Sequence, residues 1–261
     1  MNLNQHTPIL QGVQEGAAVR LRHPIQSIEY LNCDSVVTEK QNPTSDLILA
    51  GARAIMVPGF VYELRALRAG EHGTISGYFD DAEKLAQAAV ELDGNGYPIY
   101  VTLNPCMPSL LKRAPNRVRR NVPGGGTTSD SQILCRFKLL VDFDPERPSG
   151  VCSTDAEKAL AMQAAELMRE RLRADGADEP FLCDSGNGAH LLYPVALPNN
   201  EEARDQVDRA LQTIKTECPV AGVKVDTTVG DAGRITRLYG TMNCKGENTA
   251  ERPWRRSRVI Q

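Results

Sequence analysis

The sequence lacks any long apolar segment. None of its 261 residues belongs to a run that approaches the roughly 20 apolar residues a membrane helix needs. The first residues are polar and lack the charged stretch followed by an apolar core that marks a secretory signal. With 41% hydrophobic and 24% charged residues, the composition is ordinary for a globular protein. We therefore expect a cytoplasmic protein with no membrane partner.

The seven cysteines lack the spacing of a zinc site or of a disulfide framework. Their number is odd, and no two of them form a Cys-x-x-Cys pair. A structural zinc site and a set of disulfides are therefore both unexpected. Free cysteine usually behaves as a small buried residue, which is the role we predict for most of them. The seven are Cys33, Cys106, Cys135, Cys152, Cys183, Cys218 and Cys244.

The chain also lacks an overall positive charge, since its formal net charge of −3 gives no global reason to expect nucleic acid. Its cations are nevertheless clustered. Local basic clusters are typical of a groove that follows a phosphate backbone, although either cluster alone is equally consistent with a solvated charged loop. The 112–120 cluster is predicted to lie on a long loop and to bind nucleic acid. It comprises Lys112, Arg113, Arg117, Arg119 and Arg120, whereas the 252–258 cluster comprises Arg252, Arg255, Arg256 and Arg258.

Two carboxylates stand one residue apart at the end of an apolar run. Asp142 and Asp144 follow Leu139, Leu140 and Val141. Because successive side chains of a β-strand point to opposite faces, both carboxylates should project from one side, roughly 6–7 Å apart along the strand. Carboxylate oxygens are the ligands that Mg²⁺ and Mn²⁺ select, and two on a rigid strand can hold a pair of ions roughly 3.5–4 Å apart. We therefore predict a two-ion Mg²⁺ or Mn²⁺ site that handles nucleotides.

A glycine-rich turn occupies residues 185–190, with the sequence Ser-Gly-Asn-Gly-Ala-His. Its two glycines allow a tight turn and close approach of a phosphate to the backbone. Ser185 can donate its hydroxyl, and His190 begins an apolar strand from which it can donate to a phosphate oxygen. The alternative for this motif alone is a glycine hairpin whose histidine is satisfied by the backbone.

A third carboxylate, Asp226, lies in a strand that we predict at 224–228. Beside Asp142 and Asp144 it would complete a cradle for metal ions, although a single strand aspartate is more often a turn or cap residue. Cations follow it at Arg234, Arg237, Lys245 and Arg252. Such cations can neutralise a triphosphate, or else they are solvated or paired with nearby acids.

Taken in order, these three motifs resemble the signature of archaeo-eukaryotic primases and primase-polymerases. The flanking residues 141–148 and 240–246 are similar to those of the primase-polymerases found on phages and plasmids and beside CRISPR systems. Segments upstream resemble the N-terminal half of that group, so the resemblance covers about residues 60–258. Many cellular primases carry a zinc-binding element, which this sequence lacks. Primer initiation would therefore depend on a missing domain or on another device.

The resemblance implies an α+β fold in which an RRM-like sheet packs beside an N-terminal α/β module, with the active site in the cleft between them. The chain would comprise an arm or partly disordered segment (1–44), an N-terminal α/β subdomain with a basic loop (45–130) and an RRM-like catalytic subdomain (131–261). The implied activity is that of a DNA primase-polymerase. Such an enzyme is a template-dependent nucleotidyltransferase that adds nucleotides to a 3′-hydroxyl, and starts primers, on single-stranded DNA.

The resemblance also implies individual roles and partners. The catalytic, metal-holding residues would be Asp142, Asp144 and Asp226, and the nucleotide-binding residues Ser185, Asn187, Gly188, His190, Arg237 and Lys245. The partners would be a single-stranded DNA template and primer, deoxyribo- or ribonucleoside triphosphates, and a helicase or CRISPR-associated or replication proteins. Two rival functions remain: a metal-dependent nuclease, since the same carboxylates suit phosphodiester hydrolysis, and a non-catalytic initiator that binds single strands.

Overall fold

A computed structural model describes residues 43–67, 73–93, 95 and 97–260. Residues 1–42 of the predicted N-terminal arm lie outside the described residues. Helices and antiparallel strands alternate in mixed order, which confirms the α+β class. The helices are α1 (Pro43–Ile55), α2 (Ala82–Leu92), α3 (Asp155–Ala174) and α4 (Glu201–Thr216). In this part of the chain, no helix has both the length and the apolar character needed to cross a bilayer.

Twelve strands make up the sheets of the described chain. They are β1 (Tyr62–Ala66), β2 (Thr74–Phe79), β3 (Ile99–Thr102), β4 (Arg117–Val122), β5 (Cys135–Pro145), β6 (Phe181–Asp184), β7 (Ala189–Pro198), β8 (Val223–Val225), β9 (Ile235–Arg237), β10 (Met242–Asn243), β11 (Arg255–Arg256) and β12 (Arg258–Val259). Two five-stranded sheets dominate, and β10 and β11 form a short ribbon.

The first sheet has the strand order β4-β2-β1-β3-β9. Side chains alternate between its faces, as the pleat of a strand requires. On β1, Leu64 and Ala66 are buried in the main core, to which α1 and α2 contribute. Glu63 and Arg65 lie on the other face, which is polar. This polar face extends across the sheet to β3 and β9.

The second sheet has the strand order β12-β6-β7-β5-β8, with α3 packed on β5 and β7 and α4 on β8. Helix α3 begins at a capping box. Thr154 accepts from the backbone N–H of Glu157 at 3.2 Å, and the Glu157 carboxylate accepts from the N–H of Thr154 at 2.8 Å. The buried face of α3 is lined by Ala161, Ala164 and Ala165, whose small side chains let the helix lie close to the sheet. The sheet's other face, called the open face below, borders a cleft, although Leu140 and Leu192 on it are buried.

The last part of the chain links the two sheets. Strand β9 pairs with β3 in the first sheet, whereas β12 pairs with β6 in the second. Between them, Gly240 has a φ of +93°, and a Cβ at this position would lie 2.3 Å from the backbone nitrogen of Ile48 in α1. Only glycine fits there. Since β9 comes from residues assigned to the catalytic subdomain, the chain passes between the sheets more than once, and the division at 130/131 stays a prediction.

The prediction of a long basic loop is wrong. The 112–120 cluster lies on a 3-10 turn (Pro108–Arg113) and on β4, which pairs with β2. Strand β4 is at the edge of the first sheet, so its backbone is paired on one side while its arginines project outward. Charged side chains are common on edge strands because they discourage pairing with another chain. A high charge density therefore indicated an edge rather than a loop.

Candidate active site

Strand register brings four predicted site residues together. On β5, Asp142 lies directly opposite His190 of β7. On its other side it lies opposite Asp226, whose backbone N–H donates to the Asp142 carbonyl at 3.0 Å, just beyond the end of β8. Directly opposite residues of antiparallel strands share a face, and Asp144 shares it by the two-residue repeat of the strand. All four side chains therefore lie on the open face of the second sheet.

This face forms one wall of a cleft of about 800 Å³. The opposite wall comes from the first sheet through Tyr100 of β3 and Arg237 of β9. The cleft is thus built between the two sheets. The predicted site residues that line it are Asp142, Asp144, Asp226, Ser185, Asn187, His190, Arg237 and Lys245.

Each carboxylate has its own partner. Asp142 is 28% exposed, and its Oδ1 lies 3.4 Å from His190 Nε2. Asp144 is 47% exposed and accepts from Arg147 at 2.6 Å. Asp226 accepts from both the backbone N–H and the hydroxyl of Thr228 at 2.8 Å, because β8 ends one residue earlier and Asp226 caps a 3-10 turn. The predicted strand at 224–228 is therefore too long, and the cap alternative describes this side chain.

A metal site is not complete in this arrangement. Within the described residues, no three His, Cys, Asp or Glu side chains are grouped so that they could hold a metal ion. The donor chemistry nevertheless fits a hard divalent cation, since three carboxylates line one cleft and share one sheet face. Thr228 donates both of its hydrogen bonds to Oδ1 of Asp226, so Oδ2 is the oxygen that Asp226 could offer to an ion.

Electrostatics keep Asp142 ionised. Burial on its own would raise the pKa of this carboxyl. The positive charges of Arg147 and Lys245 and the contact with His190 outweigh burial, so that the pKa of Asp142 lies below its ordinary value. The side chain is therefore an acceptor-only carboxylate at neutral pH.

The glycine-rich turn is braced by its own polar groups. The Ser185 hydroxyl accepts from the N–H of Gly188 at 3.0 Å, and the Asn187 side chain accepts from the N–H of Ser153 at 3.0 Å. Gly186 adopts a φ of +92°. At Gly188, a Cβ would lie 2.2 Å from the carbonyl oxygen of Phe143, so glycine is required for β7 to start against β5. The hairpin alternative is thus correct for the turn. The ring of His190, however, contacts side chains rather than backbone.

The cleft also contains functional candidates that the sequence motifs did not single out. Arg147 ion-pairs with Asp144, and its sequence signals are its place three residues after Asp144 and within the 141–148 segment. Tyr239 contacts His190 at 2.7 Å from a distant part of the chain. Asn243 donates to the Ser185 carbonyl at 2.9 Å. Tyr239 is fully buried, does not itself line the cleft and carries no local signal, because its contact depends on how the two sheets meet. The sequence signal of Asn243 is its place in the 240–246 segment.

The two basic clusters differ in the structure. None of the five residues of the 112–120 cluster lines the cleft, and Arg117, Arg119 and Arg120 are exposed on β4. In the 252–258 cluster, all four arginines bind acids instead. Their ion pairs are Arg252 with Glu157 at 2.8 Å, Arg255 with Asp155 at 2.7 Å, Arg256 with Asp93 at 2.6 Å and Arg258 with Asp184 at 3.7 Å. The ion-pairing alternative therefore holds for Arg252, for which it was proposed, and the other three arginines are paired as well.

Comparison with known proteins gives structural likeness only. No protein family and no curated protein matches the sequence. The crystal structure of primase RepB′ is 15% identical, with a TM-score of 0.49 over 84% of this chain and 56% of that one. The catalytic domain of primase RepB′ in complex with initiator DNA is 16% identical, with a TM-score of 0.46 over 84% of this chain and 85% of that one. The polymerase domain of Mycobacterium tuberculosis Ligase D in complex with DNA is 17% identical, with a TM-score of 0.44 over 81% of this chain and 80% of that one.

The present chain thus spans little more than half the length of the RepB′ chain, at 56%. One of these proteins is named as a primase, and the domain of the other as a polymerase domain. At such low identity and TM-score, function has to be inferred from the side chains of the cleft.

Proposed function

We propose that this chain is a template-dependent nucleotidyltransferase of the primase-polymerase type, which extends a 3′-hydroxyl and starts primers on single-stranded DNA. The observation that supports this most is the register that puts Asp142, Asp144, Asp226 and His190 on one wall of one cleft. Four cations line the same cleft: Arg147, Arg234, Arg237 and Lys245. Carboxylates next to phosphate-neutralising cations are what phosphoryl transfer requires.

The three aspartates would hold two Mg²⁺ or Mn²⁺ ions. When bound, such ions make the attacking hydroxyl more acidic and neutralise the leaving pyrophosphate. The protein's contribution is to set two carboxylates on one strand and the third just beyond the end of the neighbouring strand, so that little chain entropy is lost when they converge. Asp142 and Asp144 come from the middle of the second sheet, which holds their backbone rigidly.

The cations and His190 would bind the triphosphate and offset the charge that grows in the transition state. Arg237 is oriented in advance, since its guanidinium lies 5.1 Å from the ring centre of Tyr100 and donates to the Tyr100 hydroxyl at 3.4 Å. A donor that is already in place costs no reorganisation during the reaction. Lys245 would act as a point charge on phosphate.

The template would contact the 112–120 cluster, away from the chemistry. Five directly opposite residues cross the first sheet from its edge to the cleft: Arg119, Ser76, Arg65, Tyr100 and Arg237. Neighbouring strands lie about 4.8 Å apart, so the backbone positions of Arg119 and Arg237 are roughly 19 Å apart. Exposed arginines at that distance suit the backbone of a single strand that leads to the cleft.

A primer-extension assay with matched templates tests this proposal. Purified protein is given labelled nucleotides and either Mg²⁺ or Mn²⁺, with primed or unprimed single-stranded DNA. We expect template-directed extension and pyrophosphate release, both lost in Asp144→Asn. Cleavage of unprimed DNA without incorporation would support the nuclease instead. DNA binding without chemistry, unchanged when all three aspartates are replaced by asparagine, would support the non-catalytic initiator.

A further inference from the structure

His190 is contacted at both nitrogens of its ring. Its Nε2 lies 3.4 Å from Asp142 Oδ1, and its Nδ1 lies 2.7 Å from the hydroxyl of Tyr239. His190 is 6% exposed and Tyr239 is fully buried, so solvent does not compete for the second contact. A buried hydroxyl–imidazole hydrogen bond of this length orients the ring as well as stabilising it.

Two contacts together set which nitrogen carries the proton in the neutral imidazole: the Tyr239 hydroxyl at Nδ1 and the acceptor-only carboxylate of Asp142 at Nε2. A bare Nε2 lone pair facing this anion would be repelled, whereas an Nε2–H is attracted. The proton therefore belongs on Nε2, which leaves Nδ1 as an acceptor. The Tyr239 hydroxyl must then donate to Nδ1. Burial raises the pKa of this hydroxyl well above its usual value, so it keeps the proton that it donates.

The phenol is held in place from the far side of the cleft. Tyr239 follows β9, a strand of the first sheet, and its hydroxyl reaches a histidine of the second. Its backbone lies directly against α1, since a Cβ at Gly51 would be 2.0 Å from the Tyr239 carbonyl oxygen. The next residue, Gly240, packs equally closely on Ile48. The orientation of His190 is thus tied to the packing of α1 against the end of β9.

We propose that Tyr239 is a positioning residue that holds His190 in its Nε2–H tautomer and directs that N–H into the cleft, where it donates to a phosphate oxygen of the bound nucleotide. Tyr239 itself does not touch the substrate. Only the last step, donation to a phosphate oxygen of the nucleotide, rests on the proposed function. The tautomer and its dependence on Tyr239 belong to the free protein.

Nitrogen NMR of the imidazole tests the tautomer without any substrate. The full chain contains four histidines, so the His190 signals are identified by their absence from His190→Gln. At a pH where the ring is neutral, we expect the pattern of an Nε2–H imidazole in the unmodified protein. An Nδ1–H pattern there would overturn the proposal, and this measurement needs no variant of Tyr239 to fold.

Tyr239→Phe removes the hydroxyl and keeps the ring. We expect the His190 signals to shift to a mixture of tautomers, and kcat/KM for dCTP opposite a template dG to fall about tenfold, mainly through KM, because one hydrogen bond is lost. The matched control is Tyr193→Phe, which removes another fully buried hydroxyl from the second sheet; that hydroxyl has no hydrogen-bond partner. It should leave both readouts unchanged.

The outcomes separate this role from the proposed function. If Tyr239→Phe loses thermal stability alone, while the tautomer and the ratio of KM to kcat stay as in the unmodified protein, the positioning role is wrong. If the tautomer shifts but the unmodified protein incorporates no nucleotide, Tyr239 still positions His190. In that case the nucleotidyltransferase proposal is what fails.

Discussion

The cleft wall of the second sheet and the β4 edge of the first sheet are both rich in charge, but they hold it differently. In the cleft, Asp142 and Asp144 are 28% and 47% exposed and each contacts a specific neighbour. On β4, Arg117, Arg119 and Arg120 are exposed along a strand that is paired on one side only. The charges of the cleft therefore act on specific neighbouring atoms, whereas the charges of β4 act together as a diffuse positive potential.

This difference predicts two kinds of behaviour. Partly buried charges with directed partners are weakly screened by salt, and the loss of one is felt at a single chemical step. Exposed charges are screened by salt, and when one is lost its neighbours can compensate for it. They act mainly on the affinity for a polyanion. Substitutions in the cleft should therefore change the rate, whereas substitutions on β4 should change the salt dependence of binding. The following variants test that distinction in order of expected effect.

Asp142→Asn should have the largest effect. It removes a charge that we assign to metal binding, and we expect the rate of nucleotide incorporation to fall on the order of 10³-fold, because the charge stabilisation involved is worth several kcal/mol. Single-turnover primer extension measures this rate. Asp205→Asn, an exposed aspartate on α4, is the matched control and should leave it unchanged. If the two variants incorporated nucleotides at comparable rates, the proposed difference in role between the cleft and the β4 edge would be wrong.

His190→Gln should have the next largest effect. The amide keeps polarity but does not reproduce the ring's reach, so we expect kcat/KM for the nucleotide to fall on the order of 10²-fold. Steady-state kinetics at saturating template DNA measure kcat/KM for the nucleotide without a contribution from DNA binding. DNA affinity should be unaffected, and a variant that lost DNA affinity but kept its nucleotide kinetics would place His190 with the β4 edge instead.

Replacing Arg117, Arg119 and Arg120 by glutamine should act on binding. For single strands, each lost phosphate contact should lower the slope of log affinity against log salt by about 0.7. We expect weaker DNA binding at moderate salt and a near-normal kcat once DNA is saturating. Fluorescence anisotropy over a salt series measures the slope. Arg209→Gln on α4 is the exposed control, and an equal change in slope for it would show that β4 has no special role.

Arg256→Ala should have the smallest effect on activity and a clear one on stability. Arg256 pairs at 2.6 Å with Asp93, a carboxylate that is only 6% exposed. Leaving that acid short of a partner should cost about 1–3 kcal/mol. Thermal unfolding should report a lower Tm, with an unchanged salt slope for DNA. A reduced slope would mean that the 252–258 cluster also contacts the template.

Local signals predicted local structure well. The Thr154–Glu157 capping box that begins α3 can be recognised from the sequence alone, because every atom involved lies within one turn. The alternating pattern at 141–145 likewise placed Asp142 and Asp144 on one face of a strand. The β4 strand was missed, since its backbone is paired by β2, far away in the sequence. Pairing of that kind leaves no mark in a run of arginines.

The candidate site shows the same division. Asp142, His190 and Asp226 could be proposed from their motifs, but their mutual register depends on how β7 and β8 pair with β5. For Asp226, the sequence left the strand and cap alternatives open, because the choice depends on where β8 ends. Tyr239 was invisible to sequence reasoning, since its contact with His190 joins two different sheets.

The central claim is that three carboxylates on one sheet face jointly hold divalent ions beside a nucleotide. Titration of the protein with Mn²⁺ in the presence of dCTP, followed by electron paramagnetic resonance of the free ion, tests it without any turnover. We predict that the intact chain binds Mn²⁺, and that Asp142→Asn and Asp226→Asn each weaken binding at least tenfold, because each removes one carboxylate ligand. Equal Mn²⁺ binding by the intact chain and both variants would contradict the claim.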